Sequence, residues 1–157
     1  MPLRIEPMTP EWAKLVVTWR HPPPYDTYDV TPGERENLLD PAYRYHAVIE
    51  DGELIGYCCF GDDAQVPGGT YREGELEVGW GMRPDLMGQG RGRAFAAAIL
   101  DYAERTYRPS ALGLTIAEFN GRSQAVAERH GFTLDGPRFA GPDGMVFRRY
   151  VRPVTAP

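Results

Sequence analysis

The stretch that most constrains this chain is a strand that runs into a proline and then a turn spaced by glycines. Tyr71 to Met82 alternates: Leu76, Val78, Trp80 and Met82 fall on one face, and Glu73, Glu75, Glu77, Gly79 and Gly81 on the other. Arg83-Pro84-Asp85 stops that strand, because proline has no N–H for a ladder. Met87-Gly88-Gln89-Gly90-Arg91-Gly92-Arg93 follows, and a helical pattern then runs from about Gly90 to Tyr107. Three alternate glycines permit positive φ and let a ligand approach the backbone closely. The helix start adds free N–H groups and the positive end of a dipole. With Arg91 and Arg93 beside them, these groups predict a pyrophosphate-binding turn.

Two familiar phosphate motifs do not account for the turn. A P-loop needs Gly-Lys-Ser/Thr, which is missing here. The dinucleotide fingerprint needs a small residue three positions beyond Gly92, where this chain has Phe95.

The rest of the chain reads as a mixed α/β domain with a mostly antiparallel sheet flanked by helices. Leu3 to Pro7 predicts a strand, and Thr9-Pro10-Glu11 a helix start with Trp12, Leu15, Val16 and Trp19 as its buried stripe. Thr31-Pro32 begins a shorter helix that ends near Leu39. Tyr43 to Glu50 and Glu53 to Phe60 form a hairpin around Asp51-Gly52. Phe95, Ala98, Ile99, Tyr102 and Ala103 mark the buried face of the long helix. Ala111 to Ile116 is a short strand. Asn120 opens a helix to about His130 with Gly131 as its cap, and Phe132–Asp135 with Met145–Arg152 makes a last hairpin. A length of 157 residues suits one domain, 1–157.

Charge and cysteine usage narrow the partners. A formal charge of −5 argues against a general nucleic-acid binder, although a few backbone N–H groups still hold an anion in an acidic protein. No apolar run is long enough to span a bilayer and no signal-peptide pattern opens the chain, so a cytoplasmic protein without a membrane partner is expected. Cys58 and Cys59 are the only cysteines; as strand neighbours they read as small buried thiols. No Cys/His spacing suggests a metal. His21, His46 and His130 are scattered without triad spacing and read as structural. Self-association into a homodimer stays open.

The order of strand, Pro84, Met87-Gly88-Gln89-Gly90-Arg91-Gly92 and helix resembles the acetyl-CoA signature of the GNAT N-acetyltransferases, Arg/Gln-x-x-Gly-x-Gly/Ala. Gly90 and Gly92 match, while Met87 replaces the usual Arg or Gln. Asn120-Gly121-Arg122-Ser123 through Gly131-Phe132 is similar to the later segment of that family, closest to its Asn-x-x-Ser branch. The resemblance implies an acyl-CoA-dependent enzyme with acetyl-CoA as cosubstrate and an amine acceptor, either a small molecule or a protein N-terminus. It implies that acetyl-CoA lies between the strand ending at Met82 and that of Ala111–Ile116. Gly81, Met82 and Arg83 would meet its pantetheine arm, Gly88, Gln89, Gly90, Arg91, Gly92 and Arg93 the pyrophosphate, and Asn120 the arm again. Asn120 also reads as a plain helix cap.

The chemistry is attack of a neutral amine on a thioester, so a base is needed. Glu77 is the expected base, since its strand face leads past Gly79 and Gly81, where missing side chains leave space; Glu75 is the fallback, and a fully solvated row of carboxylates the inert alternative. The resemblance places a tyrosine acid at Ala127, which is absent, and points to Ser123 instead; a local helix hydrogen bond is the competing role for Ser123. A non-catalytic CoA-binding or partner-binding domain of the same fold is the other function class, favoured by Ala127.

Overall fold

Local chemistry places the first helix where the sequence expects it. Thr9 Oγ1 accepts the N–H of Trp12 at 3.2 Å, and Pro10 occupies the first position of α1 (Pro10–Val16). The computed structural model describes residues 2–155. Among the described residues, eight strands and four helices make an α/β fold with a mostly antiparallel sheet. The chain divides into two compact units: one of the chain up to Cys59 with Trp80–Ile99, the other of Phe60–Gly79 with the chain from Leu100 onward.

In the first unit, β1 (Arg4–Pro7) pairs with β2 (His46–Glu50), and β2 pairs with β3 (Glu53–Phe60) across the Asp51-Gly52 turn. Asp51 and Gly52 both have positive φ, as such a tight connection requires. Ala13, Val16 and Val17 of α1 pack with Leu38 of α2 (Arg35–Leu39) on Ala47, Ile49, Leu54 and Tyr57. Trp12 and Trp19 of the expected stripe pack against this cluster and Val16 belongs to it, but Leu15 is 51% exposed while Ala13 is fully buried. The Thr31-Pro32 helix is divided, with a 3₁₀ turn at Pro32–Glu34 ahead of α2. β3 is buried almost throughout, so both of its faces are covered, and neighbouring Cys58 and Cys59 are both buried free thiols.

β4 (Glu75–Met82) and α3 (Gly92–Tyr107) each run through both units. β4 starts four residues later than expected, because Gly74 at φ 86° turns the chain. Glu73 thus precedes the strand, and the row of three glutamates is reduced to Glu75 and Glu77. α3 begins at Gly92, since Gly90 adopts φ 76°, outside helical space. Its buried face includes Phe95, Ala96 and Ile99 in the first unit and Leu100 and Ala103 in the second.

In the second unit, β4 pairs parallel with β5 (Ala111–Ala117), and the ladder extends only from Glu75–Ala111 to Glu77–Gly113. β5 pairs antiparallel with β8 (Val146–Pro153) along its whole length. β8 also carries β6 (Thr133–Leu134), as expected, and β7 (Phe139–Ala140), which the sequence pattern did not show. Phe60 packs on Tyr102 and Tyr107 at centroid distances of 5.7 and 5.2 Å. α4 (Gly121–Arg129) follows its Asn120 cap, and Gly131 at φ 83° ends it.

Gly56 of the first unit is required by its neighbours. A Cβ on Gly56 would stand 2.5 Å from the Phe95 ring and 2.7 Å from the Gly81 carbonyl. Gly56→Ala should therefore destabilise the protein by about 2 kcal/mol through overpacking. Chemical denaturation checks this, with Gly52→Ala, whose Cβ meets nothing within 4 Å, as the comparison for backbone strain alone.

Candidate active site

The glycine turn belongs wholly to the first unit, and its side chains brace it. Arg83 donates from Nε and Nη2 to the two carboxylate oxygens of Asp85 at 2.7 and 3.2 Å, and from Nη1 to the Leu54 carbonyl at 3.0 Å. Gln89 Nε2 donates to the Asp85 carbonyl at 2.9 Å. Arg91 is ion-paired with Glu50 at the end of β2. Gly88 and Gly90 have φ 74° and 76°, a left-handed geometry that a side chain would strain. A Cβ at Gly90 would meet nothing within 4 Å, so that face of the turn is open. Met87, Gly88, Gln89, Gly90, Arg91, Gly92 and Arg93 thus form one contiguous, partly exposed segment leading into α3.

The strand end that feeds the turn is fully engaged. The Arg83 N–H donates to the Ile55 carbonyl at 2.9 Å. The Met82 carbonyl of the same peptide unit accepts from His21 Nε2 at 2.9 Å. The space left by the missing side chain of Gly81 is not open: a Cβ there would stand 2.5 Å from the Tyr57 ring. The expectation that Gly81 clears room for substrate is corrected accordingly; it makes room for a phenol.

Glu77 lies in the second unit and is 2% exposed, so neither a solvated row nor an open cleft describes it. Arg149 Nε donates to Glu77 Oε1 at 3.0 Å, and Arg149 Nη1 reaches Glu75 Oε1 at 3.0 Å and Asp135 Oδ2 at 2.8 Å. Arg72 adds a fork to Asp135 at 2.9 and 3.2 Å. Gly113 is what permits this: a Cβ there would collide with Glu77 Oε1 and the Arg149 guanidinium. Three carboxylates meet two guanidinium groups, so one negative charge is uncompensated. Burial raises the Glu77 pKa, against the pull of Thr115 and Arg149, so Glu77 binds a proton more readily than an ordinary carboxylate.

A directed hydroxyl chain leads outward from that carboxyl. Thr115 Oγ1 donates to Glu77 Oε2 at 2.5 Å. Tyr71 Oη lies 2.9 Å from Thr115 Oγ1, and since the Thr115 proton is committed to Glu77, Tyr71 is the donor of that pair. The Val66 N–H donates to Tyr71 Oη at 2.8 Å, and burial lifts the phenol pKa, so it stays protonated. Arg149 also covers the Tyr71 ring, 5.4 Å from its centroid.

Asn120, also in the second unit, is 8% exposed and caps α4, its Oδ1 accepting the Ser123 N–H at 3.1 Å. Ala127 is fully buried in α4. Sequence reasoning missed Arg149, Asp135, Thr115 and Tyr71, and set aside His21. The signal available for Arg149 was a charged residue inside an otherwise strand-like run, Val146-Phe147-Arg148-Arg149-Tyr150. Among the described residues no group of side chains is arranged to hold a metal ion.

A left-handed glycine turn thus opens a helix after β4, and the parallel β4–β5 ladder is three residues long. The acetyltransferase (GNAT) domain family matches residues 3–133, and the chain belongs to that family. Solved structures similar in fold include AAC(6')-Ib in complex with ribostamycin and coenzyme A, 16% identical over 98% of this chain and 94% of that one, TM-score 0.78. A GNAT-family acetyltransferase from Bacillus anthracis is 20% identical over 98% and 95%, TM-score 0.75. A spermidine N-acetyltransferase chimera from Vibrio cholerae and hSSAT is 16% identical over 98% and 96%, TM-score 0.74. A search of curated proteins finds no match. No helix of the described residues is long and apolar enough to cross a membrane.

The ion network has a pH signature of mixed sign. Hydrogen bonds from Arg72 hold the Asp135 pKa below the usual carboxylate value despite partial burial. A depressed carboxylate contributes stability that is present above its unfolded pKa and lost as pH falls through the folded one. Glu77, with its raised pKa, contributes the opposite way: its stabilisation is present at low pH and lost as pH rises through the folded value. Asp135→Asn should therefore lower the melting temperature at neutral pH and flatten its decline into the acid range. Melting temperatures of both proteins across that range measure it.

Proposed function

We propose that the chain is one N-acetyltransferase domain over residues 1–157, which transfers acetyl from acetyl-CoA to a primary amine by direct attack. The observation that carries this reading is the turn at Gly88–Arg93, braced from below by Arg83, Asp85 and Gln89 and open above Gly90. Its residues fit a pyrophosphate: left-handed glycines turn backbone N–H groups toward one face, and α3 adds its N-terminal dipole. Met82 and Arg83 complete the binding segment by fixing the strand end, and Asn120 is assigned a contact with the same ligand alongside its capping bond. Bound acetyl-CoA would supply the activated thioester.

The chain's own catalytic groups in this proposal are Glu77 and Ser123. A carboxyl with a pKa raised by burial suits a base that works near neutrality. Because Glu77 has almost no exposure, it takes up its proton through Thr115 Oγ1 and Tyr71 Oη rather than by direct contact with the amine. Ser123 is assigned the proton for the leaving thiolate, following the Asn-x-x-Ser branch. The acceptor is a cationic amine, a small molecule or a protein N-terminus. Neighbours named for spermidine and for an aminoglycoside complex support the small-molecule class.

Acetyl-CoA should raise the melting temperature of the protein, because a ligand bound only by the folded state stabilises it. Gly90→Val has space for its side chain but not for the left-handed backbone, so it should fold and lose that shift. A full shift in folded Gly90→Val would remove the basis of this reading.

Glu77→Gln should reduce turnover at least tenfold and leave acetyl-CoA binding intact, and Ser123→Ala should slow the chemical step with little change in cofactor affinity. Steady-state and single-turnover rates on a cationic amine panel test both. Binding without turnover of any amine would instead make this a non-catalytic acyl-CoA-binding domain, the reading favoured by the buried Ala127.

A further inference from the structure

His21 was expected to be a structural histidine. It is nearly buried, its side chain 7% exposed, and it follows α1 in a segment that closes on itself. Asp29 Oδ1 accepts both the His21 backbone N–H at 3.0 Å and the ring Nδ1 at 2.7 Å. The other ring nitrogen, Nε2, lies 2.9 Å from the Met82 carbonyl oxygen. All of these groups are in the first unit.

The proton count on this ring follows from its partners. A backbone carbonyl only accepts, and an ionised carboxylate only accepts. Burial pushes the Asp29 pKa up, but the hydrogen bonds from His21 outweigh it and leave the carboxyl below its usual value, hence ionised. Only a doubly protonated ring donates to both of these oxygens.

The position of that cation matters more than its pairing. The peptide linking Met82 to Arg83 is the last of β4 before Pro84 and the turn. Its N–H is held by the Ile55 carbonyl at 2.9 Å and its C=O by His21 at 2.9 Å. One peptide unit is thus clamped at both ends, by β3 on one side and by a charge-assisted donor on the other. The Arg83 side chain then carries the constraint onward to Asp85, and Gln89 ties Asp85 to the glycines.

We infer that His21 is a positioning residue for the glycine turn: as an imidazolium held by Asp29, it fixes the Met82–Arg83 peptide and so the affinity of the turn for acetyl-CoA. The inference rests on the acetyl-CoA reading of the turn. Neither residue belongs to the turn, and neither contacts the ligand in this account. The role is orientation, not proton transfer. His21→Ala removes the clamp. His21→Gln keeps a neutral N–H donor that can reach the Met82 carbonyl. Asp29→Asn leaves the ring in place without the charge that holds its second proton.

Two measurements test the inference. First, ¹⁵N NMR of the ligand-free protein at neutral pH should find both His21 ring nitrogens protonated, and Asp29→Asn should leave one. A wild-type ring with a single protonated nitrogen would overturn the imidazolium assignment. Second, calorimetric titration with acetyl-CoA, well below the melting temperature of each variant, should give roughly tenfold weaker binding for His21→Ala, the loss expected when one charge-assisted hydrogen bond no longer restrains the peptide. Most of the affinity should return in His21→Gln. A purely structural histidine would lower the melting temperature of both variants without this recovery of affinity. Unchanged affinity in folded His21→Ala overturns the positioning role. Failure of the wild-type protein to bind acetyl-CoA would instead overturn the reading of the turn, and with it this role, while the NMR result would still decide the state of the ring.

Discussion

The Arg149 guanidinium, 4% exposed, is the interaction on which the second unit is organised. A buried cation needs partners, and β4 supplies two carboxylates and the segment after β6 a third. This requirement reaches back into the sequence. Position 113 has to be glycine, because any side chain would occupy the space of the ion pair. Thr115 satisfies the outer oxygen of Glu77 and is bonded in turn to Tyr71, so the polar cluster is bonded outward from the carboxyl and not merely neutralised. Removing one partner would leave a charge stranded in the core, which costs more than the pair contributes when complete.

That arrangement also explains how a structural ion pair and the chemical role proposed for Glu77 coexist in one carboxyl. With three carboxylates facing two guanidinium groups, the cluster is short of one positive charge. Desolvation concentrates the deficit on the least exposed member, Glu77. Such a group holds a proton readily and exchanges it only through the hydroxyls that touch it. The sheet thereby sets both the proton affinity of Glu77 and its route of exchange.

Elements fixed by neighbouring residues were legible in the sequence. The Thr9 cap, the Asp51-Gly52 hairpin, the Asn120 cap and the glycine turn all depend on interactions within a few residues. So was the α/β class, since alternation and helical periodicity survive averaging over whole elements. What escaped depends on distant partners. Arg149 and Glu77 are 72 residues apart, and His21 and Met82 are 61 apart. Strand alternation assigned Glu77 to the polar face correctly but could not show that this face is covered. The start of β4 was misplaced for a different reason: alternation runs through Gly74, whose positive φ breaks the strand there. His21 carried no local signal, because its meaning comes from a carbonyl on another strand.

The pairing of Arg91 with Glu50 gives the turn a counterion of its own. A phosphate that reaches Arg91 exchanges one ion pair for another, so the guanidinium contributes little net attraction. Discrimination then rests on the geometry of the glycine N–H groups, which a small free anion satisfies only in part and an extended diphosphate can satisfy along its length. In the proposed pyrophosphate site Glu50 acts in this way as a filter: it would lower the affinity of the turn for abundant simple anions and leave the site to ligands that bring more than charge.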